Sequence, residues 1–216
     1  MLDGHFRKRL DPWLDHAGQV LARRSIGANT VTITGFVIGL AAALAIVLDA
    51  FAWGFILVGV SRICDGLDGA VMRATKKTDF GGFLDIVLDF AFYGLIPFAF
   101  ILADPYENGL AGGLLLLSFY VNGASFLAFS VMAEKRGLST DIRGAKSLYF
   151  TTGLAEATET IAVFLAFCLF PYWFSEIAVC FALVCFYTAL SRIVLAPSRP
   201  KRRHKKCPPP LLETGI

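Results

Sequence analysis

Residues 31–48 form a run of eighteen without a single charged side chain. A helix of that length rises about 27 Å, close to the roughly 30 Å of a bilayer's hydrocarbon core. Apolar stretches of comparable length follow at residues 52–69, 83–103, 110–133, 148–170 and 174–196. Only helices or closed barrels satisfy every backbone polar group in lipid, and runs this long are helical. The expectation is therefore an all-α polytopic bundle of six transmembrane helices over 31–196. Composition agrees: 56% of the chain is hydrophobic, 17% is charged and mean hydropathy is +0.64. A water-soluble domain carries about 25% charge. A soluble enzyme, a disordered chain, a coiled coil and a disulfide scaffold are all excluded. The cysteines at 64, 168, 180, 185 and 207 show neither a bridge pattern nor metal-ligand spacing.

Lysine and arginine sort the loops into two sets. Five precede the first span, four lie at the end of span 2 and in the loop after it, and four follow span 4. Seven more are Arg192 and those of the tail. The loops at 49–51, 104–109 and 171–173 contain none. Basic residues stay on the cytoplasmic side, so both termini are expected there. Residues 1–30 alternate basic side chains with Leu2, Phe6, Leu10, Trp13, Leu14 and Leu21, the pattern of an interfacial amphipathic helix. Pro12 is expected to interrupt it. Residues 197–216 read as a basic, disordered cytoplasmic tail that sets topology; no nucleic-acid partner is assigned to it. The first apolar run begins too far along the chain for a secretory signal peptide.

Ionisable residues within membrane segments are costly and mark functional sites. Here they concentrate. Asp65, Asp68, Asp85 and Asp89 fall within 25 residues, across the end of span 2 and the start of span 3. Three-residue spacing puts Asp65 and Asp68 about 60° apart around a helix, and four-residue spacing puts Asp85 and Asp89 about 40° apart. With a short linking loop, spans 2 and 3 are expected to pack antiparallel, so that the two pairs converge near the cytoplasmic boundary. Four converging carboxylates need a cation. All-oxygen ligation suits one or two ions of Mg²⁺ or Mn²⁺ better than zinc. Gly66, Gly69, Gly81 and Gly82 leave room for helix approach or a phosphate-bearing ligand, and Arg73, Lys76 and Lys77 would balance phosphate charge. The simpler alternative, helix-end ion pairs with Arg62, Arg73 and the lysines, accounts for one such aspartate better than for four.

The segment Asp65-x-x-Asp68-Gly69-x-x-Met72-Arg73, seven residues, then Gly81-x-x-x-Asp85-x-x-x-Asp89 resembles the signature of the CDP-alcohol phosphotransferases. Met72 replaces the usual Ala and the spacer before Gly81 is one residue short; neither change removes a carboxylate. Residues Ala28-Asn29-Thr30-Val31-Thr32 are similar to that family's approach to its first membrane helix. Gly81 to Phe90, with Gly153-Leu154-Ala155-Glu156-Ala157-Thr158-Glu159-Thr160, looks like a bacterial inner-membrane branch of it. The resemblance implies transfer of a substituted phosphate, such as phosphatidyl, from a CDP-linked donor such as CDP-diacylglycerol to an alcohol acceptor, with release of CMP. It implies Asp65, Asp68 and Asp85 as metal ligands, and Asp89 as the catalytic base and a candidate second-metal ligand. It places Asp65, Gly69, Arg73 and Gly81 at the nucleotide and diphosphate, and it implies a homodimer.

Four further residues are candidates for binding the acceptor. Glu156 and Glu159 share a helix face of span 5, and Arg143 and Lys146 stand at its cytoplasmic mouth. His5, His16 and His204 share no spacing with an acid or thiol and receive no role. Two other classes use intramembrane carboxylates. A cation or substrate transporter places them at the midplane in related repeats, and an aspartate-rich Mg²⁺-dependent prenyltransferase needs a second acidic motif in a later span.

Overall fold

Three short turns set the helix boundaries at one end of the molecule. Asp49 takes a left-handed φ of 58°, where Leu48 and Asp49 close the end of one helix through bonds to Leu44 and Ile46. Asp104 ends the helix Asp79–Ala103, and its carboxylate accepts the free amides of Tyr106 and Glu107, both at 3.1 Å, to start the following one. Pro105 in the first position lacks an amide to satisfy, so it favours that start. Pro171–Trp173 forms a single 3-10 turn.

The structure, a computed structural model, describes residues 3–75, 78–135 and 157–195. Its elements are α1 (Asp3–Arg23), α2 (Ala28–Val47), α3 (Phe51–Ala74), α4 (Asp79–Ala103), α5 (Pro105–Lys135), α6 (Ala157–Leu169) and, after the 3-10 turn, α7 (Phe174–Leu195). Among the described residues there is no strand. Four helical stretches, Ala28–Val47, Asp79–Ala103, Pro105–Met132 and Pro171–Val194, are long and apolar enough to cross a membrane. Helix α3 has the length, but Arg62, Asp65, Asp68 and Arg73 interrupt its apolar run. The described part of α6 has only 13 residues.

Two expectations are corrected. Helix α1 runs unbroken through Pro12. A proline removes one backbone bond, a loss that a helix absorbs by bending. The second correction concerns the pairing of helices. Helices α3 and α4 do face each other, through side chains such as Arg62 and Asp89, but their closest backbone packing is on α2 between them, while α1 and α6 cover other faces of α3, and α5 joins α4 to α7. Carboxylates on the facing sides of α3 and α4 repel in close contact. The glycines of α2 offer both helices a better surface. A Cβ at Gly39 would stand 2.7 Å from the Phe92 ring, and the Gly35 carbonyl accepts the Ser61 hydroxyl at 2.8 Å.

The core is aromatic. Phe92, Phe100, Phe164, Phe167 and Phe174 are fully buried. Toward the end opposite the carboxylates, Phe100 stacks on Phe51 at 5.8 Å and on Phe174 at 4.8 Å, with Phe167 4.6 Å from Phe174. Asn108 donates to the Phe100 carbonyl at 2.9 Å and Ser175 to the Glu107 carbonyl at 2.7 Å, binding three helix ends together. The outside is equally apolar. Val37, Leu44, Leu102, Leu117, Leu183 and Tyr187 all face outward, a surface suited to lipid.

Candidate active site

A cleft opens between α3 and α4. Thr32, Gly35 and Phe36 of α2 form its floor, Ser61, Arg62 and Asp65 one wall, and Asp85, Leu88 and Asp89 the other. It encloses about 210 Å³, counting its open mouth. Thr78 caps α4 by accepting the Gly81 amide at 3.1 Å, which fixes where the helix begins and so where Asp85 and Asp89 point.

Asp65, Asp68 and Asp85 each bring a carboxylate oxygen within 4.8 Å of the other two. Oxygens on opposite sides of one hard cation, at about 2.0–2.6 Å each, stand about 4.0–5.2 Å apart. Asp68 is 2% exposed, and its Oδ2 is buried without a hydrogen-bond partner. A buried carboxylate oxygen left in this state costs free energy that a cation would recover. The donor set thus fits a divalent ion held by oxygen.

Asp89 lies one turn deeper, outside that trio. Its Oδ1 accepts from Arg62 Nη1 at 2.7 Å, and the same nitrogen is 3.6 Å from Asp65 Oδ1. The Arg62 side chain is only 7% exposed, and its Cζ sits 3.8 Å from the centre of the Phe92 ring. From the sequence alone Arg62 is an ion-pair partner and nothing more. The pair spans 27 positions, and whether two helices turn these faces toward each other is fixed by their rotation on α2.

Arg73 points elsewhere. Its Nε and Nη2 donate to Asp15 Oδ1 of α1, at 3.1 and 2.7 Å. Gly66 meets Leu14 of α1, the side chain of Arg73 lies beside Gly69, and Gly81 sits against Thr78 and Asn29. Gly82 faces open space. Of the acceptor candidates, Glu159 is half-buried at the start of the described part of α6, with its Oε2 buried and unpartnered. Arg143, Lys146 and Glu156 lie outside the described residues, as do Lys76 and Lys77. Arg192 bonds Asn122 Oδ1 at 2.7 Å.

Residues 25–193 match the family model described as CDP-alcohol phosphatidyltransferase. The chain is 44% identical to the inner membrane protein YnjF of Escherichia coli K12 over 193 residues, 89% of this chain and 94% of that one. It is 31% identical to the archaetidylinositol phosphate synthase of Methanothermobacter thermautotrophicus, covering 90% and 92% of the two chains. Over a shorter stretch, 43% of this chain and 42% of the other, it is 32% identical to the phosphatidylcholine synthase of Pseudomonas aeruginosa.

Proposed function

The chain belongs to the CDP-alcohol phosphatidyltransferase family, and from that premise we propose that it transfers a phosphatidyl group from CDP-diacylglycerol to a small polar alcohol. It is an integral membrane enzyme of phospholipid synthesis, a family generally dependent on divalent metal. Membership sets aside the transporter and the prenyltransferase. The observation that carries the finer reading is the convergence of Asp65, Asp68 and Asp85 from two helices around a buried, unpartnered oxygen.

In this reading Asp65, Asp68 and Asp85 hold Mg²⁺ or Mn²⁺. When bound, the ion neutralises the diphosphate and stabilises the charge that develops on the leaving CMP. Gly69, Arg73 and Gly81 border the nucleotide and diphosphate, and Arg73 would have to leave its ion pair with Asp15 to meet phosphate. The acceptor oxygen bonds directly to the lipid-linked phosphorus, the bridging oxygen departs with CMP, and Asp89 takes the hydroxyl proton. Acyl chains stay in the bilayer throughout, in keeping with the apolar outer faces of α2, α4, α5 and α7. Arg143, Lys146, Glu156 and Glu159 are assigned to the acceptor. The name of the archaeal relative makes an inositol phosphate the first acceptor to test. The charge distribution supports six spans with the termini and the cleft toward the cytoplasm, and the family resemblance supports a homodimer.

The test follows CMP release by purified protein from labelled CDP-diacylglycerol, with Mg²⁺ or Mn²⁺ and a panel of glycerol phosphate, inositol, inositol phosphate and serine. Asp89→Asn is expected to abolish release, by about 100-fold or more, general acid–base catalysis contributing about 10²–10⁴. Undiminished turnover in that variant removes Asp89 from the chemistry.

A further inference from the structure

We infer that Asp15 of α1 is an internal competitor for Arg73: its carboxylate holds the guanidinium that the donor's diphosphate would take, and so sets how tightly the site binds a CDP-linked donor. The inference rests on the assignment of Arg73 to the diphosphate above, and it concerns what that side chain gives up to get there.

Helix geometry supplies the first argument. A long helical side chain leans back over the preceding turn, and Arg73 does so: a Cβ at Gly69 would stand 3.6 Å from its Nη1. Gly69 follows the buried Asp68, so the guanidinium lies beside the turn that carries a candidate metal ligand. Its other two nitrogens are turned toward α1, where Nε and Nη2 donate to Asp15 Oδ1 at 3.1 and 2.7 Å. A phosphate asks for the same fork of N–H groups that a carboxylate takes. One guanidinium cannot present the same two nitrogens to both.

Packing supplies the second. Residues on either side of Asp15 are seated on α3 by fit. A Cβ at Gly66 would stand 3.2 Å from Leu14, and a Cβ at Gly18 would stand 2.8 Å from the backbone of Ala70. Asp15 therefore keeps its place whether or not it holds Arg73, as a standing alternative to any phosphate. Its hold is slight, because both side chains are about half-exposed and exposed pairs are weak. A diphosphate, with more charge than one carboxylate, displaces it. The competitor lowers affinity without blocking the site.

The test measures binding of labelled CDP to full-length protein in detergent, with Mg²⁺ present, by equilibrium dialysis. Asp15→Asn keeps the shape of the side chain and removes its charge; Asp15→Ala takes its place should that variant fail to fold. Either is expected to bind CDP about 1.5- to fivefold more tightly than the wild type, the range that an exposed pair commands. The same factor is expected in KM for CDP-diacylglycerol, without a matching change in kcat. Removing a negative charge also favours any nearby anion in general, so the comparison is repeated in an Arg73→Gln background, or Arg73→Met if the first does not fold. There the Asp15 change is expected to alter CDP affinity by less than 1.5-fold. A gain below 1.5-fold with Arg73 present, weaker binding, or an equal gain without Arg73 overturns the inference and leaves the reading of the enzyme standing. CDP bound as tightly by Arg73→Gln as by the wild type removes Arg73 from the diphosphate site, and no CDP bound by the wild type overturns the reading of the donor; the inference falls with either.

Discussion

Asp68 shows what the site demands of a single side chain. At 2% exposure, with one oxygen unpartnered and Asp65 and Asp85 nearby, it is poorly placed in a metal-free protein and well placed in a loaded one. Asp68→Asn removes the buried charge. Without metal, the variant is expected to unfold at a higher temperature than the wild type, by the equivalent of about 1–3 kcal/mol. With Mn²⁺ at about a thousand times Kd the order reverses, since binding adds about 4.1 kcal/mol to the wild type and little to the variant. Thermal unfolding with and without Mn²⁺ checks both halves; a variant no more stable than the wild type in the absence of metal contradicts the account. The four aspartates were legible in the sequence because helical spacing alone puts each pair on one face. Arg62 was not legible as their partner. Its relation to Asp89 depends on two helices packing against a third, and no local spacing encodes that rotation.

At the scale of elements, α1 is bound to α3 by fit more than by charge. A Cβ on Gly18 would stand 2.8 Å from the backbone of Ala70, and Leu14 fills the space over Gly66. The Asp15–Arg73 pair beside them is about half-exposed and so contributes little, about 0–1 kcal/mol. Gly18→Leu is therefore expected to release α1, costing about 1–3 kcal/mol by overpacking, and to free the backbone around the exposed Arg23 and Arg24 for tryptic cleavage, while Asp15→Asn leaves digestion within twofold of the wild type. Equal protection in both variants would show that α1 does not depend on this contact. That this segment is helical was readable from its residues, but its continuity through Pro12 was not. One lost backbone bond is a small penalty, and whether a helix breaks there depends on what it packs against. The expected meeting of α3 with α4 holds for their side chains, since Arg62 reaches Asp89, while the glycine face of α2, which chain proximity does not reveal, takes the closest backbone packing of both.

Across the whole molecule, the helix count depends on charge placement. Four stretches announce themselves as spans by composition, while α3 carries Arg62, Asp65, Asp68 and Arg73 and loses its apolar appearance for that reason. The helix that lines the cleft with charge is thus the one that hydropathy describes least well. The stacked phenylalanines Phe51, Phe100 and Phe174, with the hydrogen bonds of Asn108 and Ser175, seal the far end. Whatever occupies the cleft cannot leave through that packed aromatic end. In the proposed reading CMP and the donor's cytidine diphosphate claim the same place, so added CMP is expected to raise the apparent KM for CDP-diacylglycerol in proportion to its concentration while leaving kcat unchanged, and a fall in kcat at constant KM in initial-rate measurements would show CMP binding elsewhere.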